Sequence, residues 1–444
     1  MNFNNYFYLW RYSLGKKGAI EEYKNAITNQ VLSNEDLDEL SWTKSKNLVD
    51  FAFNNVPWYH EKFKTIGLHP NDISKPEYFQ QIPILKRHEI IDNFDKFIAK
   101  GLTLKDLNFI TTGGSSGKPL KIGVSKSKIR ELQKWQMLDW WNTPLNADMA
   151  SVYRGLPIRG LKKMALHLIN WPQRVIRMDA TQITTHEIEN FIKKYIKIQP
   201  KIIHGYVGAI DTIADYILKN KISFSSKPNA IILTAAPVSA IQEHKISKAF
   251  NAPVCDQYGC SEIYFIASEC LHKNGLHIFA DSVKVEIVDE NNKLLKKGEH
   301  GKIIITNLDE YAFPLIRYEN GDESRLLNKS CTCGVTLPLM DKVKGRISDN
   351  IKLRDGTILS GEYLTTIFDD FTEKVKQFQI IQNKNLSILV SVKLYNHKDA
   401  TFITKVIENE LGKRINNQVS LKVEFVSEIK QEKGKLKFII KEEI

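Results

Sequence analysis

Cysteine is scarce in this chain of 444 residues, and the five present (Cys255, Cys260, Cys270, Cys331 and Cys333) all lie between 255 and 333. A disulfide framework would be spread through a much shorter secreted chain. The clustering instead points to reduced thiols or a metal. No run of about 18 apolar residues occurs, so no membrane-spanning helix is expected. The opening MNFNNYFYLWRYSLGKKG places aromatics before the basic residues and lacks a small-residue cleavage site, so a signal peptide is not expected. A cytoplasmic protein is the resulting expectation. Internal repeats and low-complexity tracts are also missing. With 42% hydrophobic and 26% charged residues, disorder is excluded and there is material for a large core.

Acidic residues are in deficit, 51 against 63 Lys and Arg, which leaves a formal charge of +12. The excess is local: residues 113–200 hold 15 basic and 6 acidic residues, or +9. Such a field suits an anionic substrate, an acidic membrane surface or nucleic acid. No RRM, KH or zinc-finger pattern supports the nucleic-acid class, so no nucleic-acid partner is expected. The segment RGLPIRGLKKMALHLINWPQRVIR reads mainly as solvated surface. Peripheral contact with a lipid headgroup or an anionic glycan is its functional alternative.

Residues 18–66 carry helical periodicity in GAIEEYKNAI and KNLVDFAFNNV, with Pro57 as a stop. From 108 onward, β-rich runs (KIIHGY, NAIILTAA, VKVEIV, GKIIIT, FPLIRY) alternate with helical stretches (THEIENFIKKYI, VGAIDTIADYIL). Alternation of this kind predicts an α/β body with a large mixed sheet. The last hundred residues or so read as strand, strand, helix and strand, a small α+β unit. Two domains follow, 1–344 and 345–444, joined near Gly345-Arg346-Ile347-Ser348-Asp349. Trp135, Trp140 and Trp141 sit at helical spacing and read as core or as a dimer surface, which leaves a homodimer open.

The sharpest local feature is Thr111-Thr112-Gly113-Gly114-Ser115-Ser116-Gly117-Lys118-Pro119, between the strand-like LNFI and LKIGVS. Glycines allow close backbone approach, while hydroxyls and N–H groups can wrap phosphate oxygens. A Walker A loop is excluded, because Pro119 stands where Ser or Thr is required and a strand follows. On its own the segment reads equally well as a hairpin turn.

Other segments follow it in a telling order. Thr112–Pro119 resembles the phosphate loop of adenylate-forming enzymes, usually Thr-Ser-Gly-Thr-Thr-Gly-x-Pro, with Gly113 as a departure. Asp256-Gln257-Tyr258-Gly259-Cys260-Ser261-Glu262 resembles the Tyr-Gly-x-Ser/Thr-Glu motif of that superfamily. Tyr318-Glu319-Asn320-Gly321-Asp322 resembles Tyr-x-Thr-Gly-Asp, and Gly345–Asp349 resembles the Gly-Arg-x-Asp-Asp hinge, with Ser348 as a departure. Glu432-Lys433-Gly434-Lys435 resembles the terminal Gly-Lys signature. Val56–Phe63, Pro83–Ile90, ECLHKNGLHI, CTCG and QFQIIQ resemble the phenylacetate–CoA ligase and CapK-like branch.

The resemblance implies activation of a carboxylic acid by ATP as acyl-AMP, followed by transfer to CoA or to an amine or hydroxyl acceptor. For the CapK-like group, a sugar acceptor in surface-polysaccharide biosynthesis is implied. Thr112, Gly114, Ser115, Ser116, Gly117 and Lys118 would hold phosphates, and Glu262 would bind Mg²⁺. Ala235, Ala236 and Pro237 would border the adenine edge, Tyr258 would lie against the adenine ring, and Gln257, Gly259 and Ser261 would belong to the same nucleotide-binding motif. Asp322 would accept the ribose hydroxyls, and Arg346 would reach ribose or phosphate. Lys435 would stabilise the transition state, with Lys433 and Lys437 as competing assignments. His204, Gly205 and Tyr206 resemble the acyl-pocket segment, although a packed histidine is an equal reading.

Cys270, His277, Cys331 and Cys333 offer a closed tetrahedral zinc site, with His272 as the alternative imidazole and buried free thiols as the plain reading. Cys255 and Cys260 are expected only to pack. Leu353–Thr357 reads as a pantetheine-lining loop or as a hairpin turn. A catalytically inactive scaffold on the same fold is the competing functional class.

Overall fold

In the computed structural model, the described residues are 3–112, 120–153, 171–181, 183–234, 238, 240–343, 351–359, 364, 366–371, 374–429 and 439–442. They form two compact units. The first holds the described residues up to 112, those of 120–146 and those of 255–345. The second holds those of 147–254 and 346–444.

In the first unit the helical periodicity of 18–66 is realised as helices Ala19–Asn29, Asn34–Asn55 and Pro57–Thr65. Ser33 caps the longest of these by accepting from the Asp36 N–H at 3.1 Å. Pro57 does more than end a helix. It opens the next one, at a position where its missing N–H costs nothing. The apolar faces supply Leu48, Val49, Ala52, Tyr59 and Phe63 to a core shared with Ile303, Ile305 and Tyr318.

Strands Val283–Val288, Gly301–Asn307 and Tyr318–Ser324 form an antiparallel sheet in that order. Val254–Tyr258, Ala267–Glu269, Leu276–Ile278 and Leu339–Met340 follow one another as antiparallel neighbours. Leu107–Thr112 pairs with Leu120–Ser125. All three tryptophans of the 135–141 cluster are buried, so their spacing reflects core. Trp140 stacks on Phe279 with ring centroids 5.3 Å apart and donates to Gln30 Oε1 at 2.8 Å.

The expectation of a strand over FPLIRY is corrected. The strand starts only at Tyr318, because Pro314 has no N–H to give a ladder and Arg317 adopts φ 50°. Arg317 turns its side chain inward instead. Its Nε donates to Glu286 Oε2 at 3.1 Å, and its Nη1 donates to the carbonyls of Gln80 and Ile82 at 2.7 and 2.6 Å. The guanidinium thereby holds the segment 80–87 against the strand, where Leu85 bridges Tyr318 in parallel.

In the second unit the β-rich runs form a parallel sheet in the order Ala230–Thr234, Ile202–Tyr206, Met149–Tyr153, Val175–Asp179. Helix Thr185–Ile198 buries Ile188, Phe191, Ile192 and Tyr195, the 3.6-period face of THEIENFIKKYI. Helix Val207–Lys219 does the same with Ala209, Ile210, Ile213 and Ile217. Residues 351–442 carry their own apolar cluster. Strands Val375–Gln382 and Ile388–Leu394 are antiparallel, and Leu421–Phe425 and Ile439–Lys441 add in parallel on either side. Helix Ala400–Arg414 contributes Ile403, Ile407 and Leu411 to that cluster. Leu353–Thr357 is a hairpin turn, closed by the Leu353 N–H on the Thr357 carbonyl at 2.8 Å. Parallel strands under helices in one unit and antiparallel strands in the other make this the mixed α/β fold that the alternating pattern predicts. Among the described residues, no helix is long and apolar enough to cross a membrane.

Arg317 is 2% exposed and Glu286 6%. Removing one charge from such a pair strands the other in the core, at a cost of roughly 3–5 kcal/mol. Arg317→Met is therefore expected to lower unfolding free energy by about that amount in urea titrations. Arg317→Met with Glu286→Leu should recover most of the loss, and a single variant as stable as the parent would contradict the anchoring role.

Candidate functional site

Two side-chain constellations stand out in the first unit. The strand Val254–Tyr258 ends at Gly259, where a Cβ would come within 2.1 Å of the Tyr264 carbonyl oxygen. Only glycine fits there. The chain then turns through Cys260, whose N–H donates to the Ile263 carbonyl at 3.1 Å, and returns when the Ile266 N–H meets the Tyr258 carbonyl at 3.0 Å. Glu262 sits on this turn. The Tyr318 hydroxyl donates to its Oε1 at 3.1 Å, and the Arg87 guanidinium lies 3.5 Å from the same oxygen. Ser261 is exposed beside it.

Next to this carboxylate lies a second network. The Tyr258 hydroxyl donates to Asp322 Oδ2 at 3.0 Å. Asn320 Nδ2 reaches the Tyr258 oxygen at 2.5 Å and the same Asp322 oxygen at 2.9 Å. Burial, and then the Asp322 charge, push the Tyr258 phenol well above its ordinary value, so it acts as a neutral donor. Burial, followed by the Glu262 charge, likewise keeps Cys260 a neutral thiol. Gln257, Tyr258, Gly259, Ser261, Glu262 and Asp322, expected to act together, therefore share one region of the first unit. Lys86 pairs with Glu319 and Arg87 with Glu262, so the segment held by Arg317 also supplies the cations nearest the motif carboxylates.

The other constellation is Cys270, His277, Cys331 and Cys333, whose ligand atoms all lie within 4.8 Å of one another. Cys270 Sγ is 3.5 Å from Cys331 Sγ, too far for a disulfide, and Cys333 Sγ is 3.4 Å from His277 Nε2. The edge of a tetrahedral thiolate–zinc site is roughly 3.8 Å, from Zn–S bonds of about 2.3 Å. The donor set therefore fits a metal in size and chemistry. His277 Nδ1 donates to the Leu337 carbonyl at 3.2 Å, which directs Nε2 toward the sulfurs. Burial lowers His277 to about 4, leaving the ring neutral. His272 is exposed and bonds Thr332 Oγ1 at 2.8 Å, so of the two histidines only His277 joins the cluster. Cys255 and Cys260 stand outside it and pack.

In the second unit, His204, Gly205 and Tyr206 end a parallel strand. His204 and Tyr206 both pack edge-on to the Tyr153 ring, at 4.8 and 5.0 Å. A Cβ on Gly205 would sit 2.4 Å from the Val152 carbonyl oxygen, so close strand packing accounts for that glycine. Gly114, Ser115, Ser116, Gly117, Lys118, Ala235, Ala236, Pro237, Arg346, Ser348, Lys433, Lys435 and Lys437 lie outside the described residues, as does the side chain of Thr112. Arg87, Asn320 and Lys86 were not anticipated. The resemblance to PILKRHEI covers two of them, but nothing local in that segment points to a carboxylate some 170 residues or more away.

The chain is similar to several known proteins. A family model described as the CapK C-terminal domain matches residues 351–442. Protein CapK of Staphylococcus aureus is 28% identical over 421 residues, covering 90% of this chain and 88% of the relative. Phenylacetate-coenzyme A ligase of Pseudomonas putida is 24% identical over 418 residues, 88% of each. Among solved structures, 2-hydroxyisobutyryl-CoA ligase in complex with 2-HIB-AMP and CoA superposes with a TM-score of 0.66 at 17% identity, covering 93% of this chain and 91% of that one. The fold is thus that of the adenylate-forming enzymes. Over most of its length the chain is similar in sequence to CapK and to the phenylacetate-coenzyme A ligases, which are its homologues.

Proposed function

We propose that the protein is an acid ligase that activates a carboxylic acid with ATP and passes the acyl group to CoA. The observation that carries this reading is the joint placement of Tyr258, Asn320, Asp322 and Glu262, motif residues some 60 apart in sequence. Tyr258 supplies an aromatic wall for a purine. Its hydroxyl and Asn320 fix the Asp322 carboxylate, which is left an acceptor suited to vicinal ribose hydroxyls. Carboxylate attack on the α-phosphorus needs positioning and charge neutralisation more than covalent help. In this reading Thr112, Gly114, Ser115, Ser116, Gly117 and Lys118 hold phosphate oxygens, Ala235–Pro237 border the adenine, Arg346 reaches the ribose or phosphate, and Lys435 bridges the acid and the α-phosphate.

Glu262 is the candidate Mg²⁺ ligand. A bound Mg²⁺ would offset phosphate charge, and the carboxylate is already held in place for it by Tyr318 and Arg87. The CoA acceptor is supported by the coenzyme A ligases among the relatives. An amide or ester on a surface polysaccharide is the second acceptor class, implied by the resemblance to the CapK-like group. His204, Gly205 and Tyr206 remain our candidates for contact with the acid. Cys270, His277, Cys331 and Cys333 hold a structural zinc in this reading, one that ties the strand Leu276–Ile278 to the 331–340 loop. We place the hinge between domains 1–344 and 345–444 near Ser348, and the protein in the cytoplasm.

Pyrophosphate exchange into ATP, run with pooled aryl, fatty, amino and sugar acids without CoA, is expected to respond to one pool and to vanish in Lys435→Ala. Absence of exchange together with absence of ATP binding would instead favour the inactive scaffold. For the metal, elemental analysis should find close to one zinc per chain. Cys331→Ser with Cys333→Ser should lose it and melt several degrees lower; a metal-free parent with an unchanged melting point would refute the site.

A further inference from the structure

Glu262 and Ser261 also line a cleft on the first unit, together with two cationic side chains. Lys128, Arg130, Gln133 and Asn307 face it, with Val124 and Phe265 among its apolar lining. Lys128 is half-buried, and its ammonium makes one hydrogen bond among the described residues, to Asn307 Oδ1 at 3.1 Å. Two of its three N–H groups are left for another acceptor. Glu310 and Asp309 lie close enough to favour its charge, but the Glu310 carboxylate accepts from the Ser125 and Ala312 N–H groups and Asp309 pairs with Lys44, and neither hydrogen-bonds the ammonium among the described residues. Lys44 and Arg130 oppose the Lys128 charge, and burial opposes it most, so its pKa is lowered. The Arg130 guanidinium lies 5.4 Å over the exposed Tyr264 ring and makes no hydrogen bond among the described residues. Gln133 is held by Ser282 at 2.9 Å.

A plain aryl or fatty chain would gain nothing from an ammonium and a guanidinium set against it, because covering them removes water that an apolar ligand does not replace. We infer that this cleft holds the non-reacting end of the acid substrate, and that the substrate is a small, doubly anionic acid whose second carboxylate or phosphate pairs with Lys128 and Arg130. This inference rests on the acid-ligase reading for the word substrate, though not for the anion site itself. The apolar lining covers the carbon skeleton, Lys128 and Arg130 take the second charge, and Glu262 marks the end where the reacting carboxylate meets the nucleotide. Charge-assisted hydrogen bonds of this kind discriminate by roughly ten- to a hundredfold between a ligand that has the anion and one that lacks it.

The test is calorimetric binding to the full-length protein of matched pairs: glutarate against valerate, isophthalate against m-toluate, and 3-phosphoglycerate against glycerate. ATP–Mg²⁺ is titrated in parallel. At least one doubly anionic member is expected to bind ten times or more tighter than its partner. That preference should fall below about threefold in Lys128→Met and in Arg130→Gln, the latter at a half-buried side chain that makes no hydrogen bond among the described residues, with folding of both variants checked by circular dichroism. The first pair distinguishes a second carboxylate on a flexible chain, the second a rigid one, and the third a phosphate. If no pair shows the preference, or if it survives both substitutions, the inference is overturned whether or not ATP binds. A charge-dependent preference without ATP binding would keep the anion site and discard the ligase reading.

Discussion

One buried guanidinium organises the first unit. Arg317 pairs with Glu286 and caps the carbonyls of Gln80 and Ile82; both charged side chains and Ile82 are buried, while Gln80 lies at the exposed edge. A charge desolvated that far is tolerated only if every partner stays in place. The geometry of the 80–87 segment is therefore coupled to that of the strand beginning at Tyr318. That strand carries Tyr318, Asn320 and Asp322, and the segment carries Lys86 and Arg87. The anchor is remote from the chemistry we propose, yet the positions of the polar groups in the site follow from it.

The site itself is a balance of charges that are not left unpaired. Glu262 is met by Tyr318 and Arg87, and Asp322 by Tyr258 and Asn320. The neutral donors on Asp322 fix that carboxylate without cancelling its charge, whereas the Arg87 cation partly offsets the charge of Glu262. The Cys/His cluster plays the complementary part at a distance in sequence: three thiols and one imidazole converge where strands Leu276–Ile278 and Leu339–Met340 pair.

Much of this was legible in the sequence, for reasons that can be named. The helices of 18–66, the strands VKVEIV and GKIIIT, and the small C-terminal unit follow from periodicity, because each buries one face. The motif residues are legible one by one through resemblance, and His277 is favoured over His272 by its place in the Gly-Leu-His-Ile segment. FPLIRY was misread because its composition is strand-like, whereas Pro314 and the left-handed Arg317 deny it a ladder. The Arg317–Glu286 pair was invisible, since an arginine in an apolar run carries no sign of where its charge will be met. The Tyr258–Asp322 bond and the Lys128–Arg130 wall were equally hidden. Both join residues whose proximity depends on how separate strands register, which no local pattern encodes.

The proposed nucleotide site depends on Asp322 reading a ribose while Tyr258 and Asn320 hold it still. Calorimetric titration of the full-length protein with ATP–Mg²⁺ and with 2′,3′-dideoxy-ATP–Mg²⁺ addresses that claim directly. Tighter binding of ATP by tenfold or more, with the difference abolished in Asp322→Ala, is the predicted result. Equal affinity for the two nucleotides in the unaltered protein, or no binding of either, would contradict it.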